Sequence, residues 1–303
     1  MATAAYPANF SPANAVARML PDGSAQVESG TIDLGTGTYT VMAQVAADAL
    51  GLPYEQVRFD LGDSEMPEAP ISAGSMTAAS VGSAVLLTCN ALREKLIQLA
   101  LSDPASPLHG ARAGDVSAKD GSITAQGRSD RYGDVVRRSG AKAVEVRSRA
   151  APDEQRKKYS NHAFGAQFAE VLVDPELGSV RVTRMFGVFA PGRILNARTA
   201  RSQLMGGMVW GIGMALHENA VYDGHLGRIM ARDLSDYHVP TNADVGVVEP
   251  YLIEEPNDPG NPAGVKGVGE LGLCGAAAAI ANAVFNATGK RIRKLPITPD
   301  KLL

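Results

Sequence analysis

The fold is decided by residues 15–50, which read AVARMLPDGSAQVESGTIDLGTGTYTVMAQVAADAL. Ala15 to Leu20 and Ser24 to Leu34 are two extended runs, and the turn signal Pro21-Asp22-Gly23 lies between them. This arrangement predicts an antiparallel hairpin.

A glycine-rich loop, a helix and a strand follow the hairpin. Thr40 is suited to the N-cap of a helix over Val41 to Leu50, and Gly51 is suited to end it. Gln56 to Leu61 reads as a strand, and the apolar spacing of Ala78 to Leu101 predicts the longest helix of the chain.

The second part of the chain repeats this order of hairpin, small-residue loop and helix. The predicted elements are strands at 166–173 and 179–188, a helix at 199–218, a strand at 247–253 and a helix at 275–287. Glycines inside the 199–218 helix cost helix stability and indicate close backbone approach there.

The repeat predicts an α+β fold made of two similar subdomains of antiparallel strands and helices. The predicted boundaries are a first half at 1–147, a linker at 148–160 and a second half at 161–303. The charged composition of 127–160 indicates a surface connection with one short helix near 132–139.

Composition excludes several classes of protein. The chain has 303 residues, is 45% hydrophobic and 20% charged, and carries a formal net charge of -3, which is typical of a folded protein and gives no basic field for nucleic acid or an anionic membrane. Its two cysteines, Cys89 and Cys274, are too few for an iron–sulfur cluster and are predicted to be free core thiols. Without an export signal or a long apolar segment, the chain is expected in the cytoplasm, or in the periplasm if an exported partner carries it.

Four loops place small residues before a predicted helix. They are Asp33–Thr40, Gly74–Ser80, Gly192–Thr199 and Gly264–Glu270. The first turn of a helix has unpaired N–H groups and a partial positive charge, so such loops suit an anionic ligand. One loop alone indicates only a helix cap, whereas four favour a shared, elongated anionic ligand.

Two of these loops resemble the dinucleotide fingerprint GxGxxG. Gly35 to Thr40 nearly matches it, but the preceding strand belongs to a hairpin and not to a buried parallel sheet. Gly267 to Gly272 matches the letters, but no acidic residue follows about 20 positions later. NAD-dependent oxidation therefore stays a minor rival hypothesis. The five histidines are scattered, and no protein ligand to a metal is predicted.

Glu270 is the acidic residue that stands out, because it lies between glycines and apolar residues in Val268 to Gly275. A carboxylate in such surroundings must be paired or must hold its proton more tightly, and tighter proton binding is what a general base needs. A helix N-terminal acid stabilised by the helix dipole is an equally good interpretation of the local pattern.

Three ordered motifs, Lys266–Gly272, Asp33–Thr40 and Gly74–Ser80, resemble the molybdenum-binding subunit of the xanthine dehydrogenase and aldehyde oxidoreductase family. The resemblance is closest to the bacterial aldehyde oxidoreductase branch. It extends over nearly the whole chain, including Thr199–Gln203 and Leu295–Pro299.

The resemblance implies a molybdenum–molybdopterin cofactor, in the cytosine dinucleotide form, with the metal held through the pterin dithiolene. The residues that it assigns to the cofactor are Thr36, Gly37, Thr38, Ala79 and Ser80 at the pterin, Arg193, Ile194, Leu195, Asn196, Ala197, Arg198, Thr199 and Gln203 at the dinucleotide, and Lys266, Gly267, Val268 and Gly269 near the metal. Thr199 and Gln203 are i and i+4 on one helix face, which fits a shared ligand.

The resemblance also implies an activity and partners. Glu270 would be the catalytic base in the oxidation of aldehydes to carboxylic acids, with water as the oxygen source. Hydroxylation of a purine or another N-heterocycle, and a non-catalytic cofactor-binding or subunit-contact fragment, are the alternatives. Iron–sulfur clusters and FAD would be carried by other subunits or domains. Because relatives place about half of the subunit ahead of this segment, the chain is expected to be a C-terminal portion that alone holds little molybdenum and turns over no substrate.

Overall fold

The computed structural model describes residues 1–154, 156–255 and 259–303. The chain divides into two compact units. Unit 1 comprises Met1–Ala8, His162–Pro256 and Gly267–Leu303, and unit 2 comprises Asn9–Asn161 and Asn257–Lys266.

Strands and helices are numbered in chain order. The strands are β1 Ala2–Pro7, β2 Ala13–Met19, β3 Ala25–Glu28, β4 Val57–Asp60, β5 Ser117–Lys119, β6 Ser122–Ala125, β7 Arg128–Arg131, β8 Val144–Ala150, β9 His162–Val173, β10 Val180–Ala190, β11 Tyr222–Asp223, β12 Arg228–Ile229 and β13 Val247–Leu252. The helices are α1 Thr38–Leu50, α2 Thr77–Ser102, α3 Tyr132–Arg138, α4 Ala197–Leu216 and α5 Ala276–Thr288.

Unit 2 is built on a sheet of order β4-β3-β2-β8. The predicted hairpin is confirmed: β2 and β3 are antiparallel, Gly23 adopts a φ of 87° in the turn, and the N–H of Ser24 donates to Asp22 Oδ1 at 2.9 Å. Helix α2 packs on β2 and β8 and α1 packs on α2, so α2 lies in the core of the unit. It buries Val81, Val85, Leu92 and Leu96 on one face.

Unit 1 is built on a sheet of order β1-β9-β10-β13, with α5 against β9 and α4 against α5 and β13. The hairpin of β9 and β10 is confirmed by their antiparallel register. The hydrophobic core of unit 1 includes Met185 and Phe189 from β10, Leu204 and Met208 from α4, and Ile280 from α5, which are all fully buried.

The two units have the same arrangement of strand directions, which confirms two similar α+β subdomains. In each sheet the hairpin is flanked by a third antiparallel strand on one side and by a parallel strand on the other, although β1 precedes its hairpin in the chain and β8 follows its hairpin. Each sheet also contains one parallel pair, because α1 and α4 each form a crossover that brings the next strand in parallel to the hairpin.

The compact units differ from contiguous halves because strands far apart in the chain pair with each other. Strand β1 pairs with β9, and so the first residues belong with unit 1. Strand β8 pairs with β2 over Ala13 to Met19, and so residues 148–150 form an edge strand where a linker was expected. The alternation of exposed Arg147 and Arg149 with less exposed neighbours is the usual pattern of such a strand.

Helix starts and some side chains also differ from expectation. Helix α1 begins at Thr38 with Gly37 as its N-cap, where Thr40 and a start at Val41 were predicted, and α4 begins at Ala197, two residues before the predicted start. On α4, Trp210 and Met214 are exposed at 53% and 47%. Both cysteines are free, as predicted, but only Cys89 is buried in the core, because Cys274 is half-buried. No helix in the described part of the chain is long and apolar enough to cross a membrane.

Candidate functional site

The first glycine loop is organised by Asp33, whose role the sequence analysis missed. Asp33 Oδ1 accepts hydrogen bonds from the N–H of Gly35 at 2.8 Å and of Gly37 at 3.2 Å, and Oδ2 accepts one from Tyr39 N at 3.4 Å. Gly35 and Gly37 adopt φ values of 89° and 83°, which only glycine takes readily. These amides are therefore committed to a carboxylate of the chain itself.

The pKa of Asp33 lies below its ordinary value of 3.8. Partial burial acts to raise the pKa, but the bonds from the N–H groups of Gly35, Tyr39 and Gly37 together outweigh it. A carboxyl whose folded-state pKa is depressed stabilises the fold above its unfolded pKa, and that contribution disappears as the pH falls through the folded pKa.

We expect Asp33→Ala to lower the free energy of unfolding of unit 2 by about 1 kcal/mol at neutral pH, as for loss of a helix cap. Asp33→Asn keeps a hydrogen-bond acceptor but not the charge, and so it should lower the free energy of unfolding by less. Urea unfolding measured from pH 7 down to pH 3 tests this: the difference between wild type and Asp33→Asn should shrink on acidification, and a difference that grows would contradict the role given to the carboxylate.

The groups of this loop that we assign to a ligand are the hydroxyls of two threonines. The hydroxyl oxygens of Thr36 and Thr38 lie 3.1 Å apart at the start of α1. Thr36 is half-buried and Thr38 is buried. The loop therefore offers hydroxyl donors rather than the free glycine amides that the sequence pattern predicted.

The second loop leads into the first turn of α2, where Ala79 and Ser80 are fully buried. Ser80 Oγ accepts a hydrogen bond from the N–H of Ser11 at 3.0 Å, and the carbonyl of Gly74 accepts one from Asn9 Nδ2 at 2.9 Å. Ser80 thus tethers the segment before β2 to this helix, a structural task that the sequence did not indicate.

A buried network joins α2 to the loop that ends at Lys266. Ser83 Oγ donates to Asn261 Oδ1 at 3.3 Å and accepts from Ala263 N at 3.2 Å. Asn261 Nδ2 also donates to the Val265 carbonyl at 2.7 Å. The network brings the loop of Lys266, which is itself buried, next to the helix of Ala79 and Ser80.

In unit 1, Asn196 caps α4. Its Oδ1 accepts hydrogen bonds from the N–H groups of Arg198 and Thr199, each at 3.0 Å, while the N–H of Ile194 donates to Glu254 Oε1 at 3.4 Å. Gln203 follows one turn later on the same helix face as Thr199 and is half-buried. This places the predicted dinucleotide residues at one helix start.

The turn that begins at Glu270 lies against the same helix. The carbonyl of Glu270 accepts hydrogen bonds from Leu273 N at 3.2 Å and Cys274 N at 3.3 Å. A Cβ placed on Gly207 would lie 2.8 Å from Leu273 N, and one on Gly272 would lie 2.3 Å from the Leu204 carbonyl oxygen. Unit 1 therefore brings Glu270 and Gln203 into one region, because Gln203 directly precedes Leu204.

The thiol of Cys274 reports on the Glu270 carboxylate. Burial is the larger cause that raises the pKa of Cys274 above its ordinary value of 9.0, and the negative charge of Glu270 raises it further. The charge of the Glu270 carboxylate therefore acts on this thiol.

We expect Glu270→Gln to lower the pKa of Cys274, though not fully to 9.0 because burial remains. The pH dependence of the reaction of the isolated chain with a thiol reagent measures this. Burial raises the pKa of Cys89 to about 12, and so Cys89 should stay silent until the protein unfolds. The variant Cys274→Ser should lose the reaction and so assign it to this thiol. An unchanged midpoint of the pH dependence in Glu270→Gln would show that the Glu270 carboxylate lies away from Cys274.

Each unit, taken by itself, contains groups that fit an anionic ligand. Within the described residues, the first turns of α2 and α4 contain no acidic side chain, and α4 carries Arg198 and the Thr199 hydroxyl there. Thr36 and Thr38 add hydroxyls in unit 2. Hydroxyls, a guanidinium and helix starts without acids are the groups that bind phosphate and polar pterin oxygens.

These features define a cofactor-binding α+β protein with one acid set among glycines. Residues 1–246 match the family described as the molybdopterin cofactor-binding domain. The chain belongs to this family.

Three known proteins illustrate the relationship. The chain is 41% identical over 286 residues to the aldehyde oxidoreductase molybdenum-binding subunit PaoC of Escherichia coli O157:H7, covering 93% of this chain and 37% of that protein. It is 31% identical over 319 residues to the putative xanthine dehydrogenase molybdenum-binding subunit XdhA of Escherichia coli K12, covering 98% of this chain and 40% of that protein. The crystal structure of quinoline 2-oxidoreductase from Pseudomonas putida 86 superposes with a TM-score of 0.84 at 25% identity, covering 99% of this chain and 41% of that chain.

The chain spans 37% to 40% of the length of these two curated relatives. The predicted family and fold class are confirmed by these matches.

Proposed function

We propose that this chain is the cofactor-binding portion of a molybdenum hydroxylase that oxidises aldehydes to carboxylic acids. The single observation that carries the proposal is the position of Glu270, which begins a turn packed against α4, in a chain that belongs to the molybdopterin-binding family. The 41% identity to an aldehyde oxidoreductase subunit favours an aldehyde as substrate.

Residues of the chain have distinct roles in this proposal. Thr36 and Thr38 bind the pterin through their hydroxyls, Gly37 shapes the loop that presents them, and Ala79 and Ser80 add the first turn of α2 to the pterin site. The residues from Arg193 to Thr199, with Gln203, hold the dinucleotide end, where the guanidinium of Arg198 suits a phosphate. The dinucleotide that we propose is the cytosine form. Lys266, Gly267, Val268 and Gly269 line the metal site.

Glu270 is the proposed general base. When bound, molybdenum–molybdopterin would supply the two-electron redox chemistry. Glu270 Oε takes a proton from the water-derived nucleophile, and the half-buried position of the side chain limits competition by solvent. Backbone hydrogen bonds of the turn orient the residue.

The proposed partners are the remaining part of the molybdenum subunit and subunits that carry iron–sulfur clusters and FAD, assembled in the cytoplasm. They would accept the electrons, because the two cysteines of this chain cannot hold a cluster.

The proposal is tested by co-expressing the chain with its genomic neighbours and assaying the purified assembly. We expect an aldehyde, but not xanthine, to reduce an artificial electron acceptor, with ¹⁸O from labelled water entering the carboxylate product. Turnover of xanthine alone would support the N-heterocycle alternative, which is motivated by the XdhA relative. An assembly that contains molybdenum but oxidises neither substrate would support a non-catalytic module.

A further inference from the structure

Gln167 is a polar residue on the apolar face of β9. Residues 163, 169, 171 and 173 of this strand point the same way, and they belong to the hydrophobic core of unit 1 or pack against it. Gln167 itself is fully buried. A buried amide among apolar side chains is retained only where its hydrogen bonds matter.

The Gln167 amide spans the turn that Glu270 begins. Its Nε2 donates to the carbonyl of Gly272 at 2.9 Å and to that of Cys274 at 2.7 Å. The N–H of Cys274 in turn donates to the carbonyl of Glu270 at 3.3 Å. One side chain on a rigid strand therefore fixes two carbonyls of the segment that follows the proposed base.

The orientation of the amide explains why this position carries a glutamine. Among the described residues, Gln167 Oε1 is the buried side-chain atom without a hydrogen-bond partner. The reversed orientation of the amide would place Oε1 against two carbonyl oxygens, which repel it. The side chain thus leaves one acceptor unpaired and commits both N–H groups to the turn, so its two donor bonds outweigh the cost of the unpaired oxygen.

We propose that Gln167 is a positioning residue for Glu270, which holds the turn of residues 270–274 in the geometry that catalysis requires. The proposal rests on the proposed function of Glu270 as the base. It assigns to Gln167 no contact with substrate or cofactor.

The first test uses the isolated chain and needs no cofactor. Gln167→Met fills the same space without N–H donors, and Val171→Ala, four residues further along the same face of β9, is a matched control that removes apolar contact but no hydrogen bond. We expect Cys274 to react with a thiol reagent several-fold faster in Gln167→Met, because loss of the two donor bonds frees the turn and makes the half-buried thiol more accessible. Val171→Ala should react at the wild-type rate even where its thermal stability is lower. Equal rates in wild type and Gln167→Met would overturn the proposal.

The second test uses the co-expressed assembly. We expect Gln167→Met to lower kcat by about ten- to a hundredfold, with KM and molybdenum content unchanged, because the base is displaced and not removed. Wild-type kcat in Gln167→Met, where Glu270→Gln is inactive, would overturn the positioning role. If Glu270→Gln keeps full activity, the proposed function fails, and the thiol result still decides whether Gln167 holds the turn.

Discussion

Glu270→Gln in the assembled enzyme is expected to lower kcat by about 10²–10⁴-fold, the usual contribution of a general base, while molybdenum and pterin stay bound. Glutamine has nearly the same shape as glutamate but cannot take up the proton. The turn should persist in the variant, because its hydrogen bonds from Leu273 and Cys274 reach the backbone carbonyl of residue 270 and not the side chain.

Glu249→Gln is the matched control for this change. Glu249 lies on β13 of the same unit and pairs with Arg184 at 2.6 Å on the surface, and so it should leave kcat within experimental error. Steady-state kinetics at several pH values, with molybdenum measured on the same samples, give the comparison. Retention of wild-type kcat by Glu270→Gln would show that another group accepts the proton.

Gly206 and Gly207 are neighbours on α4, and substitution by alanine should change the stability of the protein in opposite directions at the two positions. Gly206 is exposed and a Cβ there has no atom within 4 Å, so Gly206→Ala should raise stability by up to about 1 kcal/mol through helix propensity. A Cβ on Gly207 would lie 2.8 to 3.0 Å from backbone atoms of Gly272 and Leu273. Backbone cannot rotate aside as a side chain can, and so Gly207→Ala should cost about 1–3 kcal/mol.

The substitution Gly207→Ala should also lower the activity of the assembled enzyme. Displacement of the turn by Gly207→Ala would also displace Glu270, and we expect kcat to fall in the assembly while Gly206→Ala keeps it. Thermal unfolding of the isolated chain and kinetics of the assembly measure the two effects separately. Equal stability of the two variants would contradict the close packing of α4 on this turn.

Local signals predicted much of the fold. The turn residues at 21–23 located the first hairpin, and the apolar spacing of 78–101 predicted α2 to within a residue or so at each end. Long-range pairing was not predictable in this way. Strand β8 carries arginines and glutamate on its exposed face and reads as a surface segment, and only its register with β2 identifies it as part of the sheet.

The candidate site was predicted in part. The glycines around Glu270 marked the turn because close packing on α4 leaves no room for a Cβ at Gly272. Asp33 was missed as the acceptor for the loop amides, although an aspartate before Gly-Thr-Gly is a recognisable turn signal. Gln167 was missed because its partners are far away in sequence, but a lone amide among alternating apolar residues was a usable clue.

Cofactor content tests the central claim most directly. The chain, purified from co-expression with its genomic neighbours, should contain about one molybdenum and one pterin dinucleotide per chain by elemental analysis and by release of the nucleotide. Replacing Thr36 and Thr38 together by valine should lower both in parallel, while Glu270→Gln retains both. A fully assembled complex without molybdenum or pterin would contradict the account.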